Sequence, residues 1–120
     1  MKEIKFRAWD KENKEMVEVE LLGKRVLLCK NGEWENIEDF EVMQFTGLCD
    51  KNNREIYEGD VLKNDYGELW VVVWEGTGFM LSFNGDSKNI YSVNEYYFSS
   101  CEVIGNIYEN PELSEGDNDE

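Results

Sequence analysis

A chain of 120 residues with 41% apolar and 13% aromatic content carries enough hydrophobic mass for one folded domain, which excludes wholesale disorder. Twenty-seven acids against twelve bases, with no histidine, give a net charge of −15, which excludes direct binding to nucleic acid or anionic membrane and favours basic partners. Nowhere do eighteen apolar residues run together, and MKEIKFRAWD has no apolar signal segment, so a soluble cytoplasmic protein is expected.

In chain order, Ile4, Phe6 and Ala8 alternate with Lys5 and Arg7, the period-two pattern of a half-buried strand. DKENKE is a polar turn, and MVEVEL resumes the alternation with Val17, Val19 and Leu21 facing inward, which makes a hairpin. RVLLC and WENI flank Asn31-Gly32, a dipeptide that suits the positive φ angles of a type I′ turn. EDFEVMQFTG reads as a strand ending at Gly47. EIYEGDVLKN enters its strand through a corner, and ELWVVVWEG reads as a central strand buried on both faces. GTG connects tightly to FMLSF, NGDSKN is a loop, and SVNEYYF fits a short helix or a strand equally. CEVIGNIYE is the last strand, with Gly105 as a bulge or a point of close approach.

Short strands separated by Gly and Asn turns predict a mainly all-β fold with little helix: an N-terminal β-hairpin region packed with a small SH3-like β-barrel. The expected domain is a single unit over residues 1–109, with a β region at 1–42 and a barrel at 43–109. Pro111 is expected to end the ordered chain, leaving 110–120 as a disordered acidic tail. The last twelve residues hold six acids and no base, so the rest of the chain still carries −9.

The densest run of unusual residues is MQFTGLCDKNNREIYEGDVL, Met43 to Leu62. Thr46-Gly47 suits a strand end, Asp50 and Asn52 suit an Asx turn, and Tyr57 lies across a neighbouring strand. Glu58-Gly59-Asp60 makes a sharp corner whose carboxylates accept backbone N–H groups. These eight residues are therefore read as structural. The remote alternative, a carboxylate-based hydrolase built on Asp50, Glu55, Glu58 and Asp60, needs an acid with its pKa moved toward neutrality and a partner in reach, and turn spacing supplies neither. Aligned as an EF-hand loop, DKNNREIYEGDV puts Arg54 at the third ligand position, Glu55 where glycine is needed and Val61 where glutamate is needed, so it is no calcium site. Gly76-Thr77-Gly78 is too short for a phosphate loop. Cys29, Cys49 and Cys101 form no C-x-x-C pair and have no histidine beside them, so they are read as small apolar residues in a reducing compartment. No catalytic residue, metal or cofactor is expected.

IKFRAWDKENKEM, MQFTGLCDKNNREIYEGDVL and EVIGNIYENPEL together resemble three blocks of the YopX-like family, in that family's order, across residues 3–113. Phe45 stands where the family often has Tyr, and Cys49 where it often has Lys. The resemblance implies a largely β protein with an SH3-like barrel, an origin in bacterial phages or prophages, and self-association into a homo-oligomer. It implies no enzymatic activity and brings no catalytic residue. The function expected is therefore that of a phage or prophage accessory protein acting by protein binding or self-assembly, possessing a basic host or phage protein as a further partner. Tyr66, Trp74 and Tyr96 are the candidate aromatic anchors. The alternative is an acidic DNA mimic that inhibits a host nucleic-acid-binding or defence protein, with Glu18, Glu20, Glu35, Glu38, Asp39 and Glu41 as the imitation of a phosphate row.

Overall fold

The computed structural model describes residues 4–76 and 78–115. Their order is β1 (Phe6–Asp10), β2 (Glu15–Leu22), β3 (Val26–Cys29), β4 (Trp34–Asn36), a 3-10 turn (Ile37–Asp39), β5 (Phe40–Cys49), β6 (Glu55–Tyr57), β7 (Asp60–Lys63), β8 (Leu69–Glu75), β9 (Gly78–Phe83), β10 (Ile90–Tyr91), α1 (Glu95–Ser99), β11 (Glu102–Asn106) and α2 (Pro111–Glu115). The mainly all-β class is as the alternation predicts. The chain forms two compact units, residues 1–45 and 46–120, so the division falls three residues later than the expected 42/43.

In the first unit the strands run antiparallel in the order β4-β3-β2-β1-β5. Ala8 sits opposite Val17 on one side and Val42 on the other. These side chains share the face that packs Ala8, Val19, Leu27, Cys29 and Phe40 into a core flanked by Phe6 and Ile37. The DKENKE turn is set by Asp10, whose Oδ1 accepts the N–H groups of Glu12 and Asn13 at 3.0 Å each. Lys14, at φ 58°, then reverses the chain into β2.

Two readings of this unit are corrected. Leu21 does not point inward: the β2–β3 register shifts between Val19 and Leu21, and Leu21 is 57% exposed. A bulge adds one residue to one strand, and a one-residue slip moves every later side chain to the opposite face. The Asn31-Gly32 turn is also not type I′, because only Gly32 has a positive φ, at 95°. The Gly32 N–H donates to Cys29 O and the Cys29 N–H to Glu33 O, the pattern of a three-residue loop closed by a glycine bulge. The type I′ geometry appears instead at the other Asn-Gly pair. Asn84 and Gly85 have φ of 54° and 75°, and the Asp86 N–H donates to Phe83 O at 2.9 Å.

In the second unit, β10-β9-β8-β7-β11 form an antiparallel sheet. β8 is central and buried on both faces at Val71 and Val72, as its β-branched run predicts, before emerging at Trp74. The core is Ile56, Leu62, Val72, Leu81, Phe98, Cys101 and Val103. Among the described residues the sheet does not close into the expected barrel, since β10 and β11 are opposite edges. After two residues of β10 the chain turns into α1, where Asn94 Oδ1 caps the Tyr97 N–H at 3.0 Å and Phe98 enters the core. The helix reading of NEYYF is the one realised, and this helix takes the place of a closing strand pair.

Order does not end at Pro111. Proline suits a first helical position, where the missing N–H would have had no helical partner, and Pro111–Glu115 form a helical turn against β8 and β11. The tail expectation for 116–120 lies outside the described residues, as does Thr77 of the Gly-Thr-Gly connection. Gly105 has both features expected of it. The β7–β11 register shifts between Val103 and Gly105, and a Cβ there would collide with Asn110 Oδ1 and stand 3.0 Å from Leu113 Cδ1.

Candidate functional site

The Met43–Leu62 stretch resolves into backbone-organising contacts. β5 does not end at Gly47 but passes through it at φ 87° and continues to Cys49. Thr46 is buried; its hydroxyl donates to Ile56 O at 2.7 Å and accepts the Leu48 N–H at 3.1 Å, tying β5 to β6. Asp50, 5% exposed, uses Oδ1 to accept the N–H groups of Asn52 and Arg54 and Oδ2 to accept that of Val103, all at 2.8 Å. Burial pushes this carboxyl up, but the three N–H bonds and the Arg54 charge outweigh it and hold the pKa below the ordinary value. At the Glu58-Gly59-Asp60 corner, Gly59 has φ 89° and its N–H donates to Val72 O, while Asp60 Oδ2 accepts the Tyr57 N–H at 2.7 Å. Asp50 and Asp60 are thus engaged by backbone donors, and the Asp50 carboxyl is shifted down, away from the neutrality an acid–base catalyst requires.

The six candidate acids do not share one row. Glu18 and Glu41 lie on the same face as Arg7 and Trp9, while Glu35 pairs with Leu27 on the opposite face. Glu38 and Asp39 belong to the 3-10 turn. Three of the six stand beside bases: Glu18 faces Arg7 across the ladder, Glu41 lies 3.8 Å from Lys11, and Glu20 lies 3.9 Å from Lys30. Nor is the first unit where the charge resides. Residues 1–45 hold eleven acids and eight bases, whereas 46–120 hold sixteen acids and four bases, a net of −12.

All three candidate aromatics belong to that acidic second unit. Tyr66 is 88% exposed in the β7–β8 turn, Tyr96 is 85% exposed on α1, and Trp74 is 47% exposed near the end of β8. They are separate features. Trp74 stacks edge-on against Phe79 with ring centroids 4.7 Å apart, and Tyr96 borders a shallow depression with Leu48, Glu95 and Ser99. Tyr66 donates its N–H to Asn64 Oδ1 at the tip of its turn.

Among the described residues no cluster of cysteine and acidic side chains has a metal-binding arrangement, and no helix is long and apolar enough to cross a membrane. Cys29 and Cys101 are buried, and burial pushes both thiols up. Glu35 and Glu33 raise Cys29 further. Since the thiolate is the nucleophile, iodoacetamide is expected to label half-buried Cys49 first in the folded protein. Cys29 and Cys101 should follow only after denaturant is added, as peptide mass spectrometry would reveal.

The sequence profile of the YopX protein family matches residues 5–115. The chain belongs to the YopX family. Among solved structures, protein EF1440 from Enterococcus faecalis is similar at a TM-score of 0.76 and 28% identity, over 95% of this chain and 99% of that one. Protein yopX from Bacillus subtilis is similar at a TM-score of 0.57 and 21% identity, over 97% of this chain and 98% of that one, a likeness of fold. No curated protein matches the chain.

Trp34 of this YopX-family chain, expected from its bulk to help fill the core, is instead 61% exposed on β4. Its neighbours read as an ordinary hairpin arm, and nothing local distinguishes an edge strand from an inner one. The bulge in β2 adds Leu21 to the same exposed face, since Leu28 pairs with Leu21 on one side and Trp34 on the other.

Proposed function

We propose that the protein is a phage or prophage accessory protein of the bacterial cytoplasm that works by binding protein, through self-association and a basic partner, and not by catalysis. The observation that carries this reading is the exposure of Tyr66, Trp74 and Tyr96 on a unit with a net charge of −12. Large exposed rings supply contact area at low entropic cost, and a negative surface steers positively charged partners toward it. The engagement of Asp50 and Asp60 by backbone donors also supports a non-catalytic role. DNA mimicry draws less support, because its six acids are spread over two sheet faces and a 3-10 turn, and half of them stand beside bases.

The test is capture from a host lysate with the tagged protein and with a Tyr66→Ala, Trp74→Ala, Tyr96→Ala variant, alongside native mass spectrometry. Retention of a basic protein by the wild type, lost in the variant and weakened by salt, is the expected result. A strict monomer that retains no protein would sink the reading.

A further inference from the structure

β4 is the edge of its sheet, and its backbone alternates in direction. The Cys29 N–H donates to Glu33 O and the Ile37 N–H to Arg25 O, so Glu33, Glu35 and Ile37 turn their peptide groups toward β3. Trp34 consequently aims its N–H and C=O outward and Asn36 its N–H, while the Asn36 C=O begins the 3-10 turn that this residue caps. Beside this edge lies a groove of about 480 Å³, lined by Lys24, Arg25, Val26, Trp34, Ile37 and Glu38 among others. Val26, Leu28 and Leu21 continue the exposed face from Trp34 inward across the sheet.

We propose that the outer edge of β4 docks an extended, basic segment of a partner protein, added to the sheet as a further strand. This deepens the binding role proposed above and rests on it. The outward N–H and C=O of Trp34 and the N–H of Asn36 supply ladder hydrogen bonds, which give affinity without sequence, and the exposed Trp34 ring supplies apolar surface for the side chains that the segment turns to that face.

Charge selects the occupant. From Glu33 to Asp39 the edge and the turn after it carry four acids and no base, which outnumber Lys24 and Arg25, the two bases lining the groove. An antiparallel second copy of β4 would bring those acids against their own counterparts, and like charges directly opposite each other destabilise a strand pair. A segment alternating lysine or arginine with apolar residues meets the acids with opposite charge and lays its apolar side chains along Trp34 and Val26. The shortness of β4 and its acids thus discourage pairing between copies while leaving the edge open to a basic strand.

The experiment titrates the full-length protein with a short synthetic peptide alternating lysine or arginine with valine, by calorimetry at low and high salt. Two further peptides serve as comparisons: an acidic one alternating glutamate with valine, and a basic one with proline in place of valine, which cannot form a strand. Trp34→Ala removes the ring. Asn36→Pro removes one outward N–H at a residue whose φ of −80° proline accommodates, leaving the β3–β4 bonds intact. Asn36→Ala removes only the side chain, and circular dichroism checks that each variant folds. Binding of the valine-containing basic peptide alone, weakened about tenfold by Trp34→Ala and by Asn36→Pro but little by Asn36→Ala, is expected. Equal binding of the acidic or the proline-containing peptide, or no binding at all, overturns the proposal. Should the basic peptide bind wild type, Trp34→Ala and Asn36→Pro alike but fail with the Tyr66, Trp74 and Tyr96 variant, this site falls while the binding role stands.

Discussion

Asp50→Ala is expected to destabilise the protein by about 3 kcal/mol, because it removes three charge-assisted hydrogen bonds and strands a buried donor. The Val103 N–H donates to Asp50 Oδ2 at 2.8 Å in a buried setting, 53 residues away in sequence, so no local rearrangement replaces that acceptor. Asp50→Asn tests the geometry more closely. An amide retains one acceptor for Asn52 and Arg54 but presents an NH2 group to Val103, donor against donor, so a loss of about 2 kcal/mol is expected. The carboxyl also predicts a pH dependence. Its folded pKa is held below the ordinary 3.8, so the unfolded chain binds its proton first as pH falls. The stabilisation is therefore fully present above that ordinary value and disappears as pH drops through the depressed folded one. Urea unfolding of wild type and Asp50→Asn should differ most near neutrality and converge in acid. A gap that stays constant down to the lowest accessible pH would show that the ionised carboxylate is not the stabilising form. Asp10 is shifted the same way, chiefly by the Asn13 N–H, so the comparison with the variant is what isolates Asp50.

Leu62→Ala should lower stability by about 3–4 kcal/mol, from lost burial and the cavity left behind. Leu62 is fully buried on β7, paired with Trp70 on β8 and Val103 on β11. Those strands hold it from both sides, which limits collapse into the space. Leu62→Ile keeps the volume and should lose less than about 1.5 kcal/mol. Leu21→Ala removes the same side chain from an exposed site and should stay within about 0.5 kcal/mol of wild type. Urea midpoints followed by circular dichroism would rank the three; a Leu21→Ala loss as large as that of Leu62→Ala would contradict the bulge in β2.

The turns show how far local reading reaches. Asp10, Asp50 and Asn64 each accept N–H groups two to four residues ahead, so their turns are written in adjacent side chains and can be found from sequence. The Asn-Gly pairs mark the limit, because the same dipeptide makes a glycine-bulge loop at 31–32 and a type I′ turn at 84–85. Loop length, fixed by which residues of the two strands pair, chooses between them.

By itself the sequence determined a β protein with tight Asx and Gly turns, a β8 run buried on both faces, and an excess of acid that requires a hydrated surface. Tertiary structure alone decided that α1 replaces a closing strand pair, that Leu21 is turned out by a bulge, and that Trp34 lies on a free edge. The physical reason is range. Alternation and side-chain caps act within a few residues, whereas burial, register and edge status depend on which distant strand arrives alongside, as Val103 does at Asp50.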